Sequence, residues 1–272
     1  MSVSGYPLGH TQSEMARLVF QASMLEATTR RLLLSAGLKP GMRVLDLGCG
    51  PGDVSMLLAS LVGPEGSVTG IDRHPAVIEL AQHRAAEAGF KNIHFATTLL
   101  TEFDDDSGFD FIVGRYVLMY QTDPALFLQR AVSLLRHGGT LAFHEVDIVH
   151  QPLSTPFLPL FDTVCAQTLT AFRSALSCHN VALTLGPLLH ATGLQHGGMF
   201  CEIPVETAPS ANLCRWWAES FISVSPHVAE IATPSGEAIA PAALIDALMS
   251  ECCEQKGQIE FMRQVCAWVT RP

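Results

Sequence analysis

Lysine is nearly missing from this chain of 272 residues, standing only at positions 39, 91 and 256. Sixteen Lys+Arg against 26 Asp+Glu leave a formal charge of −10, with no basic cluster to offset it. A surface of that sign repels phosphate backbones, so no nucleic-acid partner is expected. No run approaches roughly 18 uninterrupted apolar residues, so neither a membrane span nor a membrane partner is expected. The opening MSVSGYPLGHTQSE has neither the basic region nor the apolar stretch of a signal peptide. The eight cysteines (Cys49, Cys165, Cys178, Cys201, Cys214, Cys252, Cys253, Cys266) form no C-x-x-C pair. Their scatter argues against a zinc site or a disulfide framework. It predicts reduced, buried thiols in a cytoplasmic protein. The oligomeric state is left open, a homo-oligomer included.

Hydrophobic residues make up 48% of the chain, enough for a substantial core and an apolar pocket. Apolar spacing over residues 11–36 predicts one or two helices, stopped by Gly37 and the Lys39-Pro40-Gly41 turn. A strand–helix alternation follows. MRVLDLG, SVTGID, NIHFAT, FDFIVG and TLAFHEVD read as strands; DVSMLLASLV, PAVIELAQHRAAEAG and DPALFLQRAVSLLRHGG read as helices. Apolar strands separated by amphipathic helices predict a parallel sheet covered on both faces. Beyond it, helices are expected over 156–176, VALTLGPLLHATG, 211–231 and 240–255. Strands are expected in MFCEIPVE and VCAWVT. The economical organisation is a single α/β domain with helical additions.

The stretch VLDLGCGPGD carries the strongest functional signal. A strand running into a glycine-rich turn before a helix leaves backbone N–H groups open to a ligand. A dinucleotide fingerprint would read G-x-G-x-x-G, but Gly48, Gly50 and Gly52 fall as G-x-G-x-G, with Asp53 in the third glycine's place. Asp46 and Asp53 flank the turn with the wrong sign for a pyrophosphate. They suit a cationic small molecule better. Asp72, ending the next strand, is placed to accept both hydroxyl protons of a ribose. A nucleoside with a positively charged tail satisfies both features.

These residues resemble the class I S-adenosylmethionine-dependent methyltransferases. VLDLGCGPG is similar to their first motif, GIDRH to the second and FDFIVGRYVLMY to the segment around the fourth strand. LLRHGGTLAFHEVD is similar to their L-x-P-G-G turn and fifth strand, with His137 where proline is usual. The resemblance covers about residues 38–147 and is nearest to the ubiquinone/menaquinone-biosynthesis type. It implies a Rossmann-like, seven-stranded, mostly parallel sheet. An N-terminal helical cap (1–36), a cofactor-binding core (37–150) and acceptor-pocket helices with the last strands (151–272) are implied with it. The implied cofactor is S-adenosyl-L-methionine, with S-adenosyl-L-homocysteine as product. Gly48 and Gly50, with Cys49 between them, would line its methionine portion. Asp46 would face the amino end, Asp72 would bind the ribose and Arg73 would lie beside the adenine. The family's Asp after the third strand is absent here; Thr98 or Leu99 stands in its place. Tyr6, Arg17 and Gln21 resemble a cap, although an ordinary amphipathic helix explains them too.

Arg115 follows the fourth strand at the edge where open α/β sheets bind ligands, either as a cofactor contact or as a solvated arginine. His144, Glu145 and Asp147 end the fifth strand at the same edge. Each reads either as a base for an acceptor proton or as a satisfied structural group, with Glu145 and His144 the leading catalytic candidates. No metal is expected, because a strand scatters H-E-x-D-x-x-H. His179 reads either as a residue facing the acceptor or, more commonly, as a surface or helix-cap residue. The Trp216-Trp217 and Phe221 helix serves either as a lid or as packing. The expected function is methyl transfer to a small hydrophobic acceptor such as a polyketide, terpenoid, quinone or indole. A non-catalytic cofactor-binding protein or partner subunit is the alternative. A nicotinamide-dependent oxidoreductase is disfavoured by Asp46 and Asp53.

Overall fold

The computed structural model describes residues 12–209, 212–225, 231–232, 236 and 238–272. They divide into two compact units. One comprises Leu18–Val146, Asn180–Cys201 and Gln264–Pro272; the other comprises Asp147–His179, Glu202–Arg263 and the chain start through Arg17.

In chain order the elements begin with α1 (Gln12–Ser35), β1 (Arg43–Leu47), α2 (Asp53–Val62), β2 (Ser67–Asp72), α3 (Pro75–Glu87) and β3 (Ile93–Thr97). Next come β4 (Phe109–Arg115), α4 (Pro124–Ser133), β5 (Leu135–Val146), β6 (Ser154–Thr155), α5 (Pro159–Ala175) and α6 (Val181–His190). The chain continues through β7 (Gln195–Glu202), β8 (Val205–Thr207), α7 (Asn212–Val224), β9 (Ile231–Ala232) and β10 (Ala238–Ile239). It closes with α8 (Leu244–Glu254), β11 (Gln258–Glu260) and β12 (Gln264–Thr270).

The first unit is built on a seven-stranded sheet in the order β3-β2-β1-β4-β5-β12-β7. The β1–β2, β2–β3, β1–β4 and β4–β5 pairs are parallel, whereas β12 runs antiparallel to β5. Val44, Phe111, Val113 and Ala142 pack with Leu32 and Leu33 of α1 and Leu58 and Val62 of α2. Alternation puts Leu45, Ile112, Leu141 and Phe143 on the opposite face, and these are buried too. Both faces are therefore covered, which is why the strands read as near-continuous apolar runs. Each fully buried Leu or Phe contributes about 1.5–3 kcal/mol. Chain order reverses beside β1, since β2 and β4 are its two neighbours. Open α/β sheets bind ligands outside the carboxyl ends of strands at such a point.

In the other unit α5, α7 and α8 pack together beside an antiparallel sheet ordered β6-β11-β8. Trp216, Trp217 and Phe221 are buried there as packing residues. The Trp216 ring meets Phe261 edge-on with centroids 4.7 Å apart. Arg17 donates to both oxygens of Glu14, at 2.9 and 2.6 Å, and to the Ser220 hydroxyl.

Three expectations are corrected. The fourth helix ends at Ser133, and β5 already begins at Leu135. The Leu134 carbonyl accepts the Phe109 N–H, and a register shift with Gly138 at φ 77° carries the strand onward. MFCEIPVE is split between β7 and β8, in different sheets, because Pro204 interrupts it. All eight cysteines are free, but Cys201 and Cys253 are exposed rather than buried. Small strands such as β6 and β11 carry too few residues for a periodic signal. No helix among the described residues is long and apolar enough to cross a membrane.

Candidate active site

The turn after β1 uses glycine wherever the backbone turns left-handed: Gly48 at φ 64°, Gly50 at 54° and Gly52 at 87°. Cys49 N–H donates to the Ile71 carbonyl at 3.0 Å, which ties the turn to β2. Gly52 caps α2 and packs so closely that a Cβ there would lie 3.1 Å from the Phe95 ring and 3.2 Å from Ala81. It does the packing job of the third fingerprint glycine from one position earlier. A Cβ on Gly50 would meet nothing within 4 Å. That backbone is therefore open to an approaching group.

Asp46 is buried, and its Oδ2 accepts from the Ser55 hydroxyl at 2.6 Å. Burial above all raises its carboxyl to about 7; the Ser55 hydrogen bond and the charge of Arg115 pull the other way. Burial likewise pushes the Cys49 thiol up, reinforced by the charges of Asp46 and Asp72, so this cysteine is no nucleophile. Asp72 accepts the Gly50 N–H on Oδ2 at 3.2 Å and the His74 N–H on Oδ1 at 3.0 Å. Arg73 is exposed and donates to His74 Nε2. The Thr98 N–H donates to the Asp72 carbonyl at 2.9 Å, which places Thr98 beside β2's end, while Leu99 is exposed. Gln21 is buried on α1. Tyr6 lies outside the described residues.

The reading of Asp53 as an uncompensated acid is corrected. Arg84 donates to both its carboxylate oxygens, at 2.7 and 3.1 Å, and also to the Pro51 carbonyl. The charge is neutralised inside the fold, so of the two flanking acids only Asp46 is left without a guanidinium on it.

Arg115 ends β4. Among the described residues its side chain makes one hydrogen bond, to Thr29 Oγ1 at 3.4 Å, and forms no ion pair. Burial lowers its pKa, opposed by the charges of Asp53 and Asp46 among others. Asp46 and Arg115 thus feel each other's charge without closing onto each other. His144 is fully buried: Nδ1 meets Thr29 Oγ1 at 3.0 Å and Nε2 meets Gln264 Oε1 at 2.9 Å. Burial, helped by the charge of Arg115, lowers it to about 3, so the ring is neutral. Glu145 is also fully buried, its Oε1 accepting the Val117 and Leu118 N–H groups at 3.1 and 2.9 Å. Among the described residues its Oε2 makes no hydrogen bond, and burial raises the carboxyl to about 8. Neither candidate base reaches a surface in this geometry. Asp147 is buried, and accepts from His150 Nδ1 at 2.6 Å and from the Val149 N–H. His179 is exposed.

Sequence reasoning missed Ser55, Arg84, Thr29, Tyr116 and Gln264. Arg84, Thr29, Tyr116 and Gln264 reach their partners across distant chain segments, while Ser55 on α2 lies only nine residues from Asp46; no motif spacing marks any of them.

A methyltransferase-domain family model matches residues 38–183, more than half of the chain. The chain belongs to the S-adenosylmethionine-dependent methyltransferase family. The chain is 36% identical over 135 residues to aklanonic acid methyltransferase DauC of Streptomyces sp. strain C5, covering 48% of the chain and 59% of that protein. It is 28% identical over 137 residues to demethylmenaquinone methyltransferase of Staphylococcus aureus, covering 50% and 54%. The matches thus span little more than half the length of these relatives. A solved SAM-dependent methyltransferase from Aquifex aeolicus has the same fold, with a TM-score of 0.54 and 22% identity over 70% of this chain and 92% of that one. The residues present fit the family's cofactor. The Gly50 backbone is open, Asp72 offers a half-buried carboxylate, and Arg115 carries N–H donors that no carboxylate among the described residues has claimed.

Proposed function

We propose that the protein transfers a methyl group from S-adenosylmethionine to a small hydrophobic organic acceptor, of polyketide, terpenoid, quinone or indole type, by direct displacement. The observation that carries this reading is the open relationship of Asp46 and Arg115. A buried acid and a guanidinium lie within each other's field yet form no ion pair. An amino-acid moiety brings one group of each sign, so Asp46 takes the ammonium end and Arg115 the carboxylate. A pyrophosphate has no use for Asp46.

Asp72 holds the ribose hydroxyls, and Gly48, Cys49 and Gly50 let the methionine portion lie against bare backbone. Arg73, Thr98 and Leu99 border the adenine, and Gln21 contributes to the cap. The cofactor, when bound, supplies an electrophilic methyl on a sulfonium. The chain aligns the acceptor with it, and alignment by itself accounts for several orders of magnitude in rate. The burial of His144 and Glu145 supports a positioning role for both: His144 braces α1 against β12, and Glu145 holds the start of the loop after β4. An acceptor whose attacking atom is already nucleophilic, or loses its proton to water, suits this arrangement.

Calorimetry against S-adenosylmethionine, S-adenosylhomocysteine and NAD tests the cofactor. Binding of NAD alone overturns the reading. Incubation with S-adenosylmethionine and an acceptor panel tests turnover by release of S-adenosylhomocysteine. Tight binding with no release across the panel favours the non-catalytic alternative.

A further inference from the structure

A chain of buried side chains leads away from Arg115 into the core. Arg115 Nη1 donates to Thr29 Oγ1 at 3.4 Å; Thr29 Oγ1 meets His144 Nδ1 at 3.0 Å; His144 Nε2 meets Gln264 Oε1 at 2.9 Å. Gln264 Oε1 also accepts from the Tyr116 hydroxyl. Thr29, His144 and Gln264 are each fully buried and come from three elements, α1, β5 and β12. Thr29 and Gln264 are marked by no ligand-contact motif.

We propose that Thr29 is a positioning residue for Arg115, fixed by a one-way hydrogen-bond relay that ends on Gln264. The inference rests on the reading above that Arg115 takes the ligand's carboxylate. The direction of the relay follows from its ends. A guanidinium only donates, and an amide carbonyl oxygen only accepts. Gln264 Oε1 therefore accepts a hydrogen bond from the Tyr116 hydroxyl on one lone pair and from His144 Nε2–H on the other. A neutral imidazole protonated at Nε2 presents a bare lone pair at Nδ1, which only the Thr29 hydroxyl proton can meet. Thr29 Oγ1 also lies 3.1 Å from the Leu25 carbonyl, one helical turn back, but His144 Nδ1 is nearer. With its proton committed, Thr29 turns its lone pairs to Arg115 and fixes Nη1. The remaining donors of the fork are left for a carboxylate, which they bind in a set plane.

The same strand end is held from its other side. Tyr116 sits at φ 57°, in the left-handed region that a bulky side chain rarely adopts. Its N–H donates to the His144 carbonyl at 2.9 Å, and its hydroxyl is held by Gln264. Residues 115 and 116 are therefore fixed by one network, Arg115 through Thr29 and Tyr116 through Gln264.

The test compares two nucleosides that share adenine and ribose but differ in the amino-acid portion, S-adenosylhomocysteine and 5′-methylthioadenosine. Thr29→Val keeps the shape and removes the hydroxyl; Thr29→Ser keeps the hydroxyl. Thr29→Val is expected to weaken S-adenosylhomocysteine roughly tenfold, the size of one lost charge-assisted hydrogen bond, and to leave 5′-methylthioadenosine within about twofold. Thr29→Ser is expected to bind both like the parent. If Thr29→Val weakens both nucleosides alike, Thr29 is merely structural and the proposal fails. It fails too if neither affinity moves. A parent protein that binds 5′-methylthioadenosine as tightly as S-adenosylhomocysteine overturns the carboxylate role of Arg115, and this inference with it. Nitrogen-15 spectra of His144 in the ligand-free protein read the relay directly. Protonation at Nε2 is expected, and protonation at Nδ1 overturns its direction.

Discussion

The N–H of Gly50 donates to Oδ2 of Asp72 at 3.2 Å, joining the glycine turn after β1 to the end of β2. The residue read as a ribose acceptor therefore also fixes the turn read as a cofactor cradle. Asp72→Ala is expected to weaken S-adenosylhomocysteine by about 1.5–3 kcal/mol, the range of a hydrogen bond to a charged group. Asp72→Asn keeps an acceptor for Gly50 and is expected to fall between the two. Calorimetry checks both; unchanged affinity in Asp72→Ala removes the ribose role.

Glu145 gives a pH dependence with a definite sign. Its carboxyl moves from 4.5 to about 8 on folding, and that of Asp46 from 3.8 to about 7. Both are raised, so the folded state holds protons that the unfolded chain has released, and stability is lost as pH rises toward those values. His144, lowered from 6.5 to about 3, works in the opposite direction, but only below its unfolded value. Between about pH 6.5 and 8 the carboxyls act alone, and thermal stability is expected to fall. Glu145→Gln keeps an acceptor for Val117 and Leu118 and removes the buried charge. It is expected to flatten that slope and to gain about 1–3 kcal/mol at pH 8, as for a relieved buried polar group. A melting series across that range decides it.

Arg84→Ala leaves Asp53 without the guanidinium that now covers both its oxygens. The pair is mostly buried, so a loss of about 1–3 kcal/mol is expected, less than for a fully buried pair. Urea unfolding measures it. Asp53→Asn with Arg84→Ala is expected to recover part of the loss.

Gly48 and Gly50 separate backbone strain from packing. An alanine Cβ at Gly48 would lie 2.9 Å from Val117 Cγ2, whereas at Gly50 it would meet nothing within 4 Å. Both adopt positive φ, so each substitution carries about 1–2 kcal/mol of conformational cost. Gly48→Ala adds the clash and is expected to be the more destabilising by chemical denaturation. Gly50→Ala is expected to show its larger effect on ligand affinity, because its Cβ projects into the open approach.

Much of the first unit was legible because its signals are local. The helix over DVSMLLASLV and the strand over SVTGID were bounded by Gly52, Gly63 and Asp72, and the structure has the same bounds. The turn residues 48–52 announced themselves because only glycine takes their backbone angles cheaply. Asp53 was misread because its charge depends on Arg84, which lies in another helix. For Trp216 and Trp217 packing was the commoner expectation and a lid the alternative, because the apolar stripe of a helix is the same for both; the structure buries them.

The sequence by itself determined the strand–helix alternation, the left-handed glycine turn and the acid at the end of β2. Periodicity and backbone angle are properties of neighbouring residues. Only the tertiary structure decided which charges remain for a ligand. Asp53 is covered by Arg84, and Glu145 and His144 are sealed among Val117, Leu118, Thr29 and Gln264. Arg115 is left beside Asp46 with its fork open. Burial and pairing depend on residues far apart in the chain, and they set the charge that a carboxyl or guanidinium presents.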